Sequence, residues 1–100
     1  VPVKTPAQQG LMALHRMREG FKEERTACIN RIRGALVEAG LVFGKGPKVL
    51  RAVLADVIED AANELSGEAR LVLQTAFAHW RELDVHMRWC DRRIGEHVRG

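Results

Sequence analysis

Leu73-Gln74-Thr75-Ala76-Phe77-Ala78-His79-Trp80-Arg81-Glu82-Leu83-Asp84-Val85-His86-Met87-Arg88-Trp89-Cys90-Asp91-Arg92-Arg93-Ile94-Gly95-Glu96-His97 is the stretch that decides the fold. Leu73, Trp80, Met87 and Ile94 recur every seventh residue, and Ala76, Leu83, Cys90 and His97 follow each of them three positions later. Apolar side chains returning at steps of three and four over consecutive heptads predict a helix with one narrow seam. Arg81, Glu82, Arg88, Arg93 and Glu96 flank it with charges able to pair across a helical interface. The expectation is a coiled-coil helix over about 67–98, capped by Ser66, whose seam of Leu73, Trp80, Leu83, Met87, Cys90 and Ile94 joins two copies of the chain as a dimer.

Working back toward the start, Thr5-Pro6-Ala7-Gln8 reads as a helix beginning. Thr can cap, Pro fits the first helical position because its missing N–H would have been unpaired anyway, and Gln can reach back as in a capping box. Leu14, Met17, Phe21, Cys28, Ile32, Ala35 and Leu36 carry a helical apolar pattern to Ala39-Gly40, with Gly40 as the natural stop. The span of about 6–39 is roughly 50 Å of helix, too long for a small core to wrap, so it must lie along another long helix or project into solvent. Between the two long helices, Pro47 opens a shorter one expected over about 47–65, with Leu50, Val53, Leu54, Val57, Ile58 and Ala61 along one face and acids along much of the rest. The reading is all-α: an antiparallel helical hairpin with a coiled-coil seam, its two long helices joined by a shorter helix, in one domain.

Composition agrees with that reading. A chain of 100 residues, 46% hydrophobic and 29% charged, is too apolar to be disordered and too short for a second independent core. Cys28 and Cys90 sit far apart inside helical patterns, which reads as reduced thiols in a cytoplasmic setting rather than a disulfide framework. No run approaches a membrane span, and Val1-Pro2-Val3-Lys4 lacks a signal-peptide plan. A start without Met and an end directly after a helical run make both termini read as cut points within a longer protein. The net charge of +3 hides an asymmetry: residues 1–53 hold ten Lys and Arg against four Asp and Glu, and residues 54–100 hold six against nine.

Residues with chemical potential are few. His86 and Cys90 share a helical face and His97 follows one heptad later, but a four-ligand set would have to be completed from distant residues such as His15 and Cys28, and none stands in the short-spaced pairs of a structural zinc site. Cys28 and Ser66 lack a base and an orienting acid, so they read as a core side chain and a cap. Gly44-Lys45-Gly46-Pro47-Lys48 resembles a phosphate-binding loop without its full spacing. Asp56, Glu59 and Asp60 read as a solvated stripe. No catalytic, cofactor or metal residue is assigned. The clearer signal is basic: Arg16, Arg18, Lys22, Arg25, Arg31, Arg33, Lys45, Lys48 and Arg51 place nine cations within 36 positions. Such a run suits salt-dependent, weakly selective contact with a phosphate backbone; the competing reading is a solvated helix face.

Two runs weigh on that choice. Val1-Pro-Val-Lys-Thr-Pro-Ala-Gln-Gln-Gly-Leu-Met-Ala-Leu-His-Arg-Met-Arg-Glu, and Glu24-Arg-Thr-Ala-Cys-Ile-Asn-Arg-Ile-Arg-Gly-Ala-Leu-Val-Glu-Ala-Gly, resemble the central region of the insertion-sequence one-ten family of transposases. The resemblance is closest up to Gly40 and looser beyond, where Leu83-Asp84 and Cys90-Asp91-Arg92-Arg93-Ile94 look like a returning coiled-coil arm. It implies a longer protein with a RuvC-like domain carrying four acidic Mg²⁺-binding residues before this region and a nucleophilic serine after it, neither of which can be placed on this chain. It implies for Arg25, Thr26, Asn30, Arg31, Arg33 and Gly34 a place in the helical arm near subunit contacts and the guide RNA or DNA backbone. Gly10 departs from the pattern, since a better helix former is expected there. The nucleic-acid set is therefore Arg16, Lys22, Arg25, Thr26, Asn30, Arg31, Arg33, Lys45 and Lys48. The expected role is dimerisation and positioning of DNA and guide RNA beside the rest of a transposase, in the cytoplasm. A helical protein–protein interaction module is the alternative, and a stand-alone enzyme is the weakest reading.

Overall fold

The computed structural model describes residues 3–41 and 46–99, which form three α-helices and no strand: α1 (Pro6–Glu38), α2 (Pro47–Glu59) and α3 (Gly67–Arg99). The start of α1 is the capping box that its sequence predicts. The Gln8 N–H donates to Thr5 Oγ1 at 3.2 Å, the Thr5 N–H donates to Gln8 Oε1 at 2.9 Å, and Pro6 takes the first turn. A cap of this kind stabilises a helix by about 1 kcal/mol. At the other end Gly40 adopts φ 80°. The Leu41 N–H then reaches the Leu36 carbonyl at 2.8 Å and the Gly40 N–H reaches that of Val37 at 3.0 Å. This Schellman closure satisfies the last carbonyls and turns Leu41 back toward the core.

α1 and α3, each of 33 residues, run antiparallel for roughly 50 Å. Arg18 meets Asp91, Arg25 meets Asp84, and the Cys28 thiol donates to the Ala76 carbonyl. The molecule measures 60 × 25 × 22 Å. No helix among the described residues is long and apolar enough to cross a membrane.

α2 is shorter than its apolar pattern suggests, ending at Glu59 instead of near 65 and leaving Ala61 in an exposed turn. Side chains stop it. Asp60 turns extended and accepts the Ala62 N–H at 2.9 Å, an Asx turn. Asn63 Nδ2 donates to the Val57 carbonyl at 2.7 Å, and Arg70 Nη1 donates to the carbonyls of Val57 and Ile58 at 3.1 and 2.5 Å. A guanidinium on the carbonyl end of a helix also meets the negative end of its dipole. α3 begins where Ser66 Oγ accepts the Ala69 N–H at 3.1 Å.

The core lies in the half of the hairpin that α2 covers: Ile29, Ile32 and Leu36 from α1, Leu50 and Leu54 from α2, Leu73, Phe77, Trp80 and Leu83 from α3. Each buried side chain of this size contributes about 1.5–3 kcal/mol. Beyond it the hairpin thins to two helices, and Met17, expected on the packed face, is exposed. The heptad seam is spent inside the chain. Leu73 and Trp80 are 1% exposed, Leu83 2% and Cys90 0%, while Met87 and Ile94 are half-buried. The period is met inside the hairpin: α1 of the same chain packs along the expected dimer seam and covers Leu73, Trp80, Leu83 and Cys90, while Met87 and Ile94 stay partly open.

Candidate nucleic-acid interface

Helical geometry divides the expected nucleic-acid residues. Lys22, Thr26, Asn30 and Arg33 follow one another at steps of four, four and three, so they share one flank of α1. Arg31, nine residues from Lys22, is turned about 180° away, and Arg16, six residues away, about 120°. Arg31 lies on the opposite face, beside a hollow of about 470 Å³ bordered by Cys28, Leu71, Val72 and His79. Lys48 is exposed in the first turn of α2. Lys45 falls outside the described residues. The eight described residues of the set thus do not form one stripe.

Arg25 differs from the rest because it is already held. Its Nε stands 2.7 Å from Asp84 Oδ1, with the N–H pointing off that line, so the contact is an ion pair rather than an aligned hydrogen bond. From α2, Arg51 Nη1 donates to Asp84 Oδ2 at 2.6 Å, and its guanidinium lies 6.0 Å from the Trp80 ring centre. One buried carboxylate on α3 therefore joins all three helices. One heptad away, Arg18 Nε donates to Asp91 Oδ1 at 2.5 Å, and this carboxylate raises the Arg18 pKa further, first through the hydrogen bond and then through charge.

These pairs form an edge between α1 and α3, and both helices add cations beside it. Lys22 is four residues after Arg18 and three before Arg25; Arg88 is four after Asp84 and three before Asp91. Residues at such spacings are surface neighbours, so Lys22 and Arg88 border the same edge from either side. Arg18, Lys22, Arg25, Arg51 and Arg88 then stand around Asp84 and Asp91, with Glu19 also 4.0 Å from Arg18, so five cations face three carboxylates and the face keeps a net positive charge that phosphate can approach. Sequence reasoning missed Asp84 and Arg88 as members of this group, and it counted Arg18 and Arg51 in the basic run without carrying them into the nucleic-acid set. The signal was present: Arg18 and Arg25 are seven apart, as are Asp84 and Asp91, so an antiparallel pair of helices matches them two for two.

The metal reading fares differently. His86 stacks on Phe21 with ring centres 5.1 Å apart, and among the described residues no group of three or more His, Cys, Asp or Glu is placed to hold a metal ion. Cys28 and Cys90 are buried free thiols. Burial pushes the Cys28 thiol pKa up, with the charge of Arg31 opposing.

The chain is similar to parts of three transposases. It is 32% identical over 101 aligned positions to a probable family 20 transposase of Pseudomonas aeruginosa, covering 100% of this chain and 30% of that protein. It is 35% identical over 74 positions to the transposase for insertion sequence element IS1111A of Coxiella burnetii, covering 74% and 20%. It is 32% identical over 94 positions to a putative transposase, y4pF/y4sB, of Sinorhizobium fredii, covering 94% and 24%. The chain spans less than a third of the length of these relatives. No protein-family model matches it, and no solved structure does.

Proposed function

We propose that this chain is a helical arm of a bacterial insertion-sequence transposase, and that it holds nucleic acid without cutting it. One observation carries the reading: a chain related along its length to transposases gathers Lys22, Arg25, Arg51 and Arg88 on one face around an insufficient number of carboxylates. In this reading the rigid hairpin fixes where the charges stand, and counterion release from the phosphate backbone supplies the affinity. Strand chemistry and its Mg²⁺ belong to other parts of a longer protein, and the nucleic acid is the DNA being moved or an RNA guiding it.

The competing reading, a protein-binding module, draws on the apolar hollow between Leu71, Val72 and Cys28. Fluorescence anisotropy with labelled DNA and RNA separates the two. The arm reading expects binding whose logarithm falls against log salt with a slope of about −3 to −4, as for roughly four phosphate contacts, and weaker binding in Lys22→Glu/Arg88→Glu. Binding indifferent to salt and to both reversals would leave the arm reading without support.

A further inference from the structure

α3 carries a second line of cations on the half of the chain that is acidic by count. Arg81, Arg88, Arg92 and Arg99 are spaced by seven, four and seven residues, which keeps them on one strip of the helix over about 27 Å. The Arg81 guanidinium lies 4.6 Å from the Phe77 ring centre. Arg88, Arg92 and Arg99 have no carboxylate partner among the described residues. Val85 and Trp89 stand within and beside the strip, 52% and 49% exposed, although Trp80 on the same helix is fully buried. Trp89 is four residues after Val85 and three before Arg92, so its indole borders the line of charge.

A second copy fits this face poorly. Two α3 helices meeting antiparallel through it would set one arginine line against the other, and like charges facing each other cost free energy. A duplex satisfies the charges but gives the indole nothing to stack on, because its bases are already stacked within the helix. An unpaired strand satisfies both, since its phosphates meet the arginines while a splayed base covers the exposed ring.

We infer that the strip of Arg81, Arg88, Arg92 and Arg99 is a track for single-stranded nucleic acid, with Trp89 as the platform for one base. The inference rests on the arm reading above and narrows it to the unpaired strand. The test uses this chain, its Trp89→Ala variant, Arg88→Glu/Arg92→Glu, and Lys22→Glu/Arg33→Glu on α1. All these changes lie outside the buried core, so helicity at 222 nm stays that of the wild type. The probes are labelled oligothymidine, oligouridine and a mixed-sequence duplex, each of about 20 nucleotides per strand, titrated between about 50 and 200 mM salt.

Single strands are expected to bind at least about tenfold more tightly than duplex. Trp89→Ala should weaken them by about 5- to 100-fold while changing duplex binding less than about twofold. Tryptophan emission should fall as either single strand is added to the wild type and hold steady in Trp89→Ala. Oligothymidine against oligouridine tells DNA from RNA. Duplex binding as tight as single-strand binding, or a Trp89→Ala variant as tight as wild type, overturns the inference; if the α1 reversals still weaken binding, the arm reading survives. No binding to any oligonucleotide overturns both and leaves the face to an acidic, apolar protein surface.

Discussion

Asp84→Ala removes a carboxylate that faces two guanidinium groups, and the structure sets the size of the effect. Two charged contacts are lost, at 2.7 Å to Arg25 and 2.6 Å to Arg51, each worth about 1.5–3 kcal/mol when buried. The Asp84 side chain is 11% exposed, but those of Arg25 and Arg51 are 32% and 41%, so both guanidiniums can swing partly into water once released. Solvent screening discounts each contact to about 1–1.5 kcal/mol, giving about 2–3 kcal/mol for the variant. In a domain of this size that lowers Tm by about 10–20 °C. The effect on binding has the opposite sign: the face gains one unit of positive charge and two freed arginines, so oligonucleotide affinity at low salt rises and the salt slope steepens by about 1–2. Urea titration followed at 222 nm measures the first effect, and anisotropy well below the unfolding transition measures the second. A stability loss under about 0.5 kcal/mol, the range of an ordinary surface substitution, together with an unchanged salt slope, refutes the reasoning.

Other substitutions probe separate parts of the fold. A Cβ added at Gly20 or Gly34 meets nothing within 4 Å, so Gly20→Ala and Gly34→Ala should each stabilise by about 1 kcal/mol, whereas Gly40→Ala at φ 80° should cost about 1 kcal/mol; thermal melts decide. Arg70→Met takes the Arg70 donor from the Ile58 carbonyl and leaves that of Val57 to Asn63 alone, so α2 amides should exchange with solvent about tenfold faster or more while α1 and α3 keep their protection. Trp80→Glu puts a charge into the core and should abolish helicity at 222 nm; a well-folded variant that differs from wild type only in solution mass would restore the dimer seam. Because burial raises the Cys28 pKa, the folded chain holds that proton more tightly than the unfolded one. Its contribution is full below the unfolded value of about 8.5–9 and is lost as pH climbs through the raised value, so the urea midpoint should fall above about pH 9, and a midpoint that rises there contradicts the assignment.

The sequence exposed what depends on neighbours along the chain. Thr5-Pro6-Ala7-Gln8, Gly40 and Ser66 each form the local cap their chemistry implies, and the helix beginning at each of Pro6, Pro47 and Gly67 follows. The heptad from Leu73 to Ile94 was equally legible as a period, but a period does not name its partner, and within the chain α1 packs along it. The end of α2 was hidden because Arg70, twelve residues beyond Ile58, competes for carbonyls that apolar periodicity would have extended into helix. The candidate interface was half legible for a related reason. Counting cations found Lys22 and Arg25, but charge counting has no direction, so it grouped Arg16 and Arg31 with them and overlooked Arg88 on the facing helix. Asp84 went unnoticed because an isolated aspartate one step past a seam leucine looks solvated until α1 and α2 close over it.

The antiparallel course of α1 and α3 has a mechanical consequence. Val3 and Arg99 emerge at the same end of the hairpin, while Leu41, at the close of α1, lies toward the far end of a molecule 60 Å long. The two rungs Arg18–Asp91 and Arg25–Asp84 resist sliding, because a slip of one heptad either way keeps a single pair and sets a stranded charge opposite an apolar side chain. An arm that cannot telescope behaves as a lever. A swing of about 5° at its base moves the tip by about 4 Å over a 50 Å helix, with no rearrangement inside the hairpin.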